Sequence, residues 1–205
     1  MSIRALIFDF GGVLMQTMDR SPRAALEQRY GLKPGELSEI VFNSQAASDA
    51  TVGAVREPAV WDHVRAVLDL SPAQTAEMKQ LFYSGDRLDQ ALLDYIRAAR
   101  PALKTGLLSN ALSNARDFFT LECNIAGLFD EIVISAEVGV RKPDPQIYHI
   151  ALQKLAVQPE EVVFVDDFIE NIRAAEALGL KAVWFRSTAQ AVAEIEKLRG
   201  SGPAG

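Results

Sequence analysis

The chain has 205 residues, 49% of them hydrophobic, and its 21 Lys and Arg against 27 Asp and Glu leave a formal net charge of −6. A chain of this length buries roughly 70% of the surface its unfolded form exposes, so a disordered polypeptide is excluded and a globular one with a substantial core is expected. The acid surplus excludes a broad nucleic-acid or anionic-membrane surface, which needs clustered Lys and Arg, but it leaves room for a local phosphate pocket.

The first apolar run of strand length is Ile3 to Phe8. From Gln16 to about Asp89 the pattern changes. Ser21-Pro22, Lys33-Pro34, Glu57-Pro58 and Ser71-Pro72 each read as a cap followed by proline at the first helical position, which predicts a run of helices without strands. Strand-length runs return at Thr105 to Leu108, Glu131 to Ile134, Val162 to Val165 and Ala182 to Phe185. Between them, Asp144-Pro145 opens a helix carrying Ile147, Ile150, Ala151 and Leu155. Glu170-Asn171 opens another carrying Ile172, Ala175 and Leu178, and Gly179 closes it. Strands nearly continuous in Val, Ile, Leu and Phe that alternate with helices predict an α/β fold with a doubly wound parallel sheet covered on both faces. The helical block then reads as a small cap domain inserted over the sheet. The expected division is a core of 1–15 and 90–199, a helical cap of 16–89 and a flexible tail of 200–205.

Cys123, the sole cysteine, cannot form an intrachain disulfide, and the N-terminal sequence meets Asp9 before the apolar region of a signal peptide accumulates. No apolar run approaches the roughly 20 residues that cross a bilayer. The expectation is a cytoplasmic protein, monomer or homodimer, with a small-molecule partner and neither nucleic acid nor membrane. His63, His149 and Cys123 are too few for a Cys/His zinc site.

In open parallel sheets ligands bind outside the carboxyl ends of the strands, so the residues that follow each run carry the functional information. Asp9 and then Phe10-Gly11-Gly12-Val13 follow the first run, and Ser109-Asn110 follow the second. Arg141-Lys142-Pro143-Asp144 precede a helix, and Asp166-Asp167 follow Val162 to Val165. Taken singly, Asp9, Ser109-Asn110 and Asp166-Asp167 read equally as helix or turn caps, and Lys142 as a solvated loop lysine. Together at one pole they suit phosphoryl transfer through a covalent aspartyl intermediate. Asp9 would be the nucleophile, and the Asp166-Asp167 carboxylates are the hard oxygen ligands that Mg²⁺ prefers. Ser109, Asn110 and nearby backbone N–H groups would hold phosphoryl oxygens, while Lys142 places positive charge where negative charge spreads.

These motifs, Ile7-Phe8-Asp9-Phe10-Gly11-Gly12-Val13-Leu14, Leu107-Leu108-Ser109-Asn110, Arg141-Lys142-Pro143-Asp144-Pro145-Gln146-Ile147-Tyr148 and Phe164-Val165-Asp166-Asp167 with Asn171 following, resemble those of the haloacid dehalogenase (HAD) superfamily. The resemblance is to its phosphatase-like members with a helical cap after the first motif, and it covers residues 1 to 195. The later motifs are similar to those of bacterial sugar phosphatases and of the phosphatase domain of soluble epoxide hydrolase. The resemblance implies a Rossmann-like core and a Mg²⁺ cofactor held by Asp9, the Gly11 backbone carbonyl, Asp166 and Asp167, one of the last pair through water. It implies Asp9, Ser109 and Lys142 as catalytic residues, with Ser109, Asn110, Lys142 and Gly12 binding substrate and Asn171 bracing the acidic loop.

One position departs from the pattern. Most family phosphatases carry a second aspartate two residues after the nucleophile, where this chain has Gly11. Glycine offers a carbonyl but no proton, and general acid–base help is worth about 10²–10⁴-fold. Relatives that look like α-glucose-1-phosphate phosphatases also have glycine here, which directs the expectation to anomeric or otherwise activated phosphate esters. Asp19 is the candidate to substitute as acid. The alternatives are a 2-haloacid dehalogenase, which resembles the pattern less because it lacks the aspartate pair, and a non-catalytic phosphoryl-binding protein. A receiver-type signalling domain would need a paired acid near the first strand, and a nicotinamide site fails for want of G-x-G-x-x-G spacing. In the cap, Arg20, Arg23, Arg56 and Arg87 read as solvated charges or as contacts to a substrate's remote end, and Trp61 and Phe82 as cap core.

Overall fold

A computed structural model describes residues 2–100 and 102–200. Each apolar run forms a strand: β1 (Ala5–Phe8), β4 (Lys104–Ser109), β5 (Glu131–Ile134), β6 (Val162–Asp166) and β7 (Lys181–Trp184), all parallel, in the order β5-β4-β1-β6-β7. Side chains alternate across the pleat, so Leu6 and Phe8 face one apolar layer while Ala5 and Ile7 face the other. The first layer is completed by Leu92, Leu93 and Ile96 of α6 (Gln90–Ala99) and by Ala191 and Ile195 of α11 (Thr188–Gly200). The second is completed by Ile147, Tyr148 and Leu152 of α9 (Pro145–Leu155) and by Ile172 and Ala175 of α10 (Ile169–Ala177). This is the doubly wound α/β architecture expected. Because β1 is central, with β4 on one side and β6 on the other, the strand order reverses there, and the carboxyl end of β1 opens the crevice where such sheets bind ligands.

Between β1 and β4 lie α1 (Ser21–Arg29), α2 (Glu36–Phe42), α3 (Gln45–Thr51), α4 (Pro58–Val67) and α5 (Pro72–Tyr83). They bury an apolar cluster of their own, in which Trp61, Phe82, Val64, Met78 and Leu37 pack together. The proline signals mark three of these helices. Ser71 makes a full capping box with Gln74, Pro58 opens α4, and Pro22 lies in the first turn of α1. Two expectations need correction. Lys33-Pro34 opens no helix, because Gly35 in the left-handed conformation takes the N-cap and α2 begins at Glu36. The stretch from Gln16 to Asp89 is also not strand-free: β2 (Met15–Thr17) and β3 (Asp86–Leu88) pair antiparallel at its two ends.

That ribbon is held by polar contacts. Asp86 accepts a two-point ion pair from Arg23 and a hydrogen bond from Thr17, and the Arg23 guanidinium lies 4.1 Å from the centre of the Phe82 ring. Arg23 is therefore engaged structurally, while Arg20, Arg56 and Arg87 are exposed. The helices rest on the sheet's carboxyl side through close approaches. A Cβ on Gly53 would lie 2.2 Å from the Ala136 carbonyl oxygen in α8 (Ser135–Val138), and Glu57 N–H donates to Ser113 Oγ at 3.2 Å. Gly200 closes α11, and the rest of the expected tail lies outside the described residues. Among the described residues no helix is long and apolar enough to cross a membrane.

Candidate active site

Asp9 follows β1 directly, and its backbone N–H continues the pairing by donating to Val165 O at 2.9 Å, which fixes the carboxylate beside the end of β6. Both of its protein contacts fall on Oδ1, from Phe10 N–H at 2.7 Å and Lys142 Nζ at 2.8 Å; Oδ2 has no hydrogen-bond partner among the described residues. Lys142 reaches the crevice from the loop before α9. Its side chain is fully buried, and its ammonium bridges Asp9 and Asp166, the latter at 2.6 Å. Asn110 sets that lysine in place: it accepts from the Lys142 backbone N–H at 2.8 Å and donates to the Lys142 carbonyl at 2.9 Å.

Asp166 and Asp167 are neighbours in sequence with opposite surroundings. Asp166, the last residue of β6, has no exposed surface; Oδ1 accepts from Phe168 N–H and Asn171, and Oδ2 from Lys142 and Asn171. Asn171 is anchored in turn by Tyr148, whose hydroxyl donates to the Asn171 carbonyl at 3.0 Å. Asp167 Oδ1 is buried without any partner. The Asp167 carbonyl accepts from Trp184 Nε1 at 2.9 Å, so the side chain is aimed by its backbone rather than by contacts of its own.

Titration follows from these surroundings. Burial pushes the Asp9 carboxyl up to about 7; the Lys142 ammonium opposes this, and the charges of Asp166 and Asp167 add to it. Asp167 is pushed up to about 6, first by burial and then by the charge of Asp166. Burial works against the charged form of Lys142, but Asp9 and Asp166 outweigh it and hold the ammonium's pKa above the ordinary lysine value. One oxygen from each of Asp9, Asp166 and Asp167 lies within 4.8 Å of the others. A partnerless buried carboxylate oxygen in such a cluster, with pKa values raised by burial and by neighbouring carboxylates, is what a hard divalent cation relieves, so the residues fit Mg²⁺.

The other expected residues fall around this cluster. Ser109 ends β4 at 3% exposure, and its hydroxyl makes no hydrogen bond among the described residues. Gly12 abuts Asp167, and its N–H is engaged with Met15 O at 2.8 Å. Gly11 is exposed, and a Cβ there would meet nothing within 4 Å. Asp19 is not part of the Asp9, Asp166 and Asp167 group. It is exposed and accepts from Ser21 N–H at the entrance to α1, and Ser21, through its side chain first and then this N–H, lowers its pKa, the opposite of what a general acid needs. Phe168 and Trp184 are the supporting residues that sequence reasoning missed. Tyr148 stood in the third motif without an assigned role, and it lies on the buried face of α9.

The haloacid dehalogenase-like hydrolase family model matches residues 3–179. The chain is 28% identical over 220 residues to bifunctional epoxide hydrolase 2 of Sus scrofa, a match that takes in 98% of this chain and 39% of that protein. The chain thus spans well under half the length of the epoxide hydrolases it matches. It is 27% identical over 203 residues to sesquiterpene phosphatase astK of Aspergillus oryzae, covering 97% of this chain and 98% of that protein. A HAD family enzyme of Bacteroides thetaiotaomicron, solved in complex with magnesium and inorganic phosphate, superposes with a TM-score of 0.74 at 19% identity over 91% of this chain and 96% of that one, a likeness of fold.

Proposed function

The chain belongs to the haloacid dehalogenase-like hydrolase family, and on that premise we propose that it is a Mg²⁺-dependent phosphatase of small phosphorylated metabolites, sugar phosphates among them, working through an aspartyl-phosphate on Asp9. The observation that carries this reading is the arrangement at Asp9: one oxygen held by Lys142 and Phe10 N–H, the other unengaged. The free oxygen attacks phosphorus as the bond to the ester oxygen breaks, and the leaving oxygen takes its proton from water. A second water then attacks the phosphorus of the acyl phosphate, which releases inorganic phosphate and restores the Asp9 carboxylate.

Lys142 supports the reading twice, since it aligns the nucleophile and offers positive charge to the equatorial oxygens; the unengaged Ser109 hydroxyl offers a further donor. Bound Mg²⁺, held by Asp9, Asp167 and the Gly11 carbonyl with Asp166 through water, would neutralise the repulsion between the carboxylate and the ester dianion. Asp167 takes the direct role in this assignment because its oxygen lacks a partner, whereas both Asp166 oxygens are already engaged. That cation-seeking pair also sets the reading apart from metal-free dehalogenation. A cytoplasmic location goes with it, supported by the single free thiol of Cys123.

Gly11 leaves the leaving group without a protonating side chain, so turnover is expected to be slow and to favour esters whose leaving oxygen needs little help. The test compares phosphate release from glucose 1-phosphate and glucose 6-phosphate by the wild type and Gly11→Asp, a variant for which the open space at Gly11 leaves room. Preference for the anomeric ester in the wild type, with a gain on the poorer ester in the variant, supports the reading; the absence of both effects overturns it. A prenyl phosphate belongs in the panel because of the likeness to a sesquiterpene phosphatase. Tight binding of phosphate analogues without hydrolysis of any ester would favour a non-catalytic protein.

A further inference from the structure

A second polar cleft, of about 270 Å³, lies where the α2–α3 junction faces the loop before α9, lined by Arg141 on one wall and Phe42, Asn43, Ser44, Gln45 and Ser48 on the other. Its Arg141 wall adjoins the phosphoryl end of the crevice along the chain. Arg141 immediately precedes Lys142, whose backbone Asn110 clamps on both sides, and the opposite wall is seated by the Gly53 approach to Ala136 and the Glu57 bond to Ser113.

The unused hydrogen-bonding capacity in this cleft is specific. The Arg141 side chain is exposed and its guanidinium makes no ion pair or hydrogen bond among the described residues, so its donors are free. Asn43 donates its amide to Glu39 at 2.6 Å and Gln45 donates to Asp49 at 2.7 Å, which leaves each amide a carbonyl oxygen as acceptor and one further N–H as donor. The Ser44 oxygen accepts from Ala47 N–H, and the Ser48 hydroxyl is unengaged. Phe42 is half exposed between these groups and the Phe82 ring behind it. An anionic end group would satisfy Arg141 but meet two carbonyl oxygens, with the carboxylates of Glu39 and Asp49 behind them. An apolar tail would strand every polar group of the wall. Hydroxyl groups donate and accept at once, and a sugar ring also carries an apolar face that a half-exposed phenyl can cover.

We propose that this cleft is the subsite for the hydroxyl-bearing, non-reacting end of the phosphorylated substrate, with Arg141 as its principal donor and the Asn43 and Gln45 carbonyls as acceptors. The proposal rests on the reading that the Asp9 crevice binds the phosphoryl group, and it narrows the substrate to a polyhydroxylated phosphate such as a sugar phosphate.

Calorimetry in Mg²⁺ tests it without turnover, using three probes: the methylenephosphonate analogue of glucose 1-phosphate, methylphosphonate, and 4-phosphonobutyrate. The wild type is expected to bind the sugar phosphonate at least about tenfold tighter than methylphosphonate, and Arg141→Met to remove about tenfold of that preference while methylphosphonate affinity, which reads the phosphoryl end alone, changes less than about twofold. Asn43→Leu should narrow the same preference. The proposal is overturned if the wild type shows no preference, if Arg141→Met weakens both phosphonates equally, or if 4-phosphonobutyrate is the tightest ligand. Failure to release phosphate from any ester would count against the phosphatase reading alone, because the binding preference is measured independently of hydrolysis.

Discussion

Gly12 and Asp167 share one space: a Cβ on Gly12 would lie 2.1 Å from Asp167 Oδ2, and the Gly12 backbone has a φ of +78°. Gly12→Ala therefore meets two obstacles, the left-handed backbone at about 1–2 kcal/mol and a carboxylate that has to turn aside. The melting temperature should fall modestly, while calorimetric Mg²⁺ affinity falls about 10–100-fold, as for other changes that misdirect a metal ligand. Unchanged affinity would mean that Asp167 does not hold the cation.

Asp166 and Asp167 should respond oppositely to loss of charge. Asp166→Asn leaves the buried Lys142 ammonium short of one partner and turns an amide toward existing donors, so a loss of about 3–5 kcal/mol in unfolding free energy is expected. Asp167→Asn removes a carboxylate that is partnerless in the metal-free protein, so chemical denaturation in chelator should show stability unchanged or raised, with Mg²⁺ binding largely lost. Equal destabilisation by both changes would contradict the division of roles.

The pH dependence of the metal-free protein follows from two raised carboxyls. The Asp9 and Asp167 pKa values, about 7 and about 6, lie above the ordinary 3.8, so between pH 4 and pH 7 the folded chain holds protons that the unfolded chain has released. Stability from these groups is fully present below the unfolded pKa and is lost as pH rises through the folded values. In chelator the melting temperature should decline from pH 5 to pH 8. With Mg²⁺ present the decline should vanish, because cation binding needs the deprotonated ligands and strengthens over the same interval. A melting temperature in chelator that rises over this interval would contradict the raised values.

Asn110 acts on the reaction through Lys142. Asn110→Ala removes both hydrogen bonds to the lysine backbone, at a cost of about 1–2 kcal/mol in stability. It should lower kcat by about 10–100-fold through misplacement of the ammonium while KM changes little. A variant that lowers stability but leaves kcat intact would reduce Asn110 to a structural tie.

The central sheet was legible because its strands are runs of Val, Ile, Leu and Phe buried on both faces, and their observed bounds lie within about two residues of those expected. The ribbon was not. Met15-Gln16-Thr17 and Asp86-Arg87-Leu88 are too short to display an alternation, and what joins them is a backbone ladder and the Thr17 bond to Asp86, between residues 69 positions apart in the chain. Convergence of Asp9, Lys142 and the acid pair was legible from their positions at strand ends. The difference between Asp166 and Asp167 was not, since it depends on Asn171, Phe168 N–H and Trp184, whose directions only the folded loop sets. Asp19 looked available in sequence because its partner, a backbone N–H two residues on, is invisible there.

The bridge that Lys142 makes between Asp9 and Asp166 cancels one negative charge, and with Asp167 counted the pole still holds two more negative charges than positive when all three acids are ionised. A doubly charged phosphate ester approaching that pole alone meets repulsion in a buried, weakly screened setting. Arrival of a divalent cation brings the local sum to zero, and only then does Lys142 act on the ester as an attraction. The buried charges thereby impose a sequence of assembly, cation before ester, so a protein stripped of divalent ions should be blind to its substrate rather than merely idle in its presence.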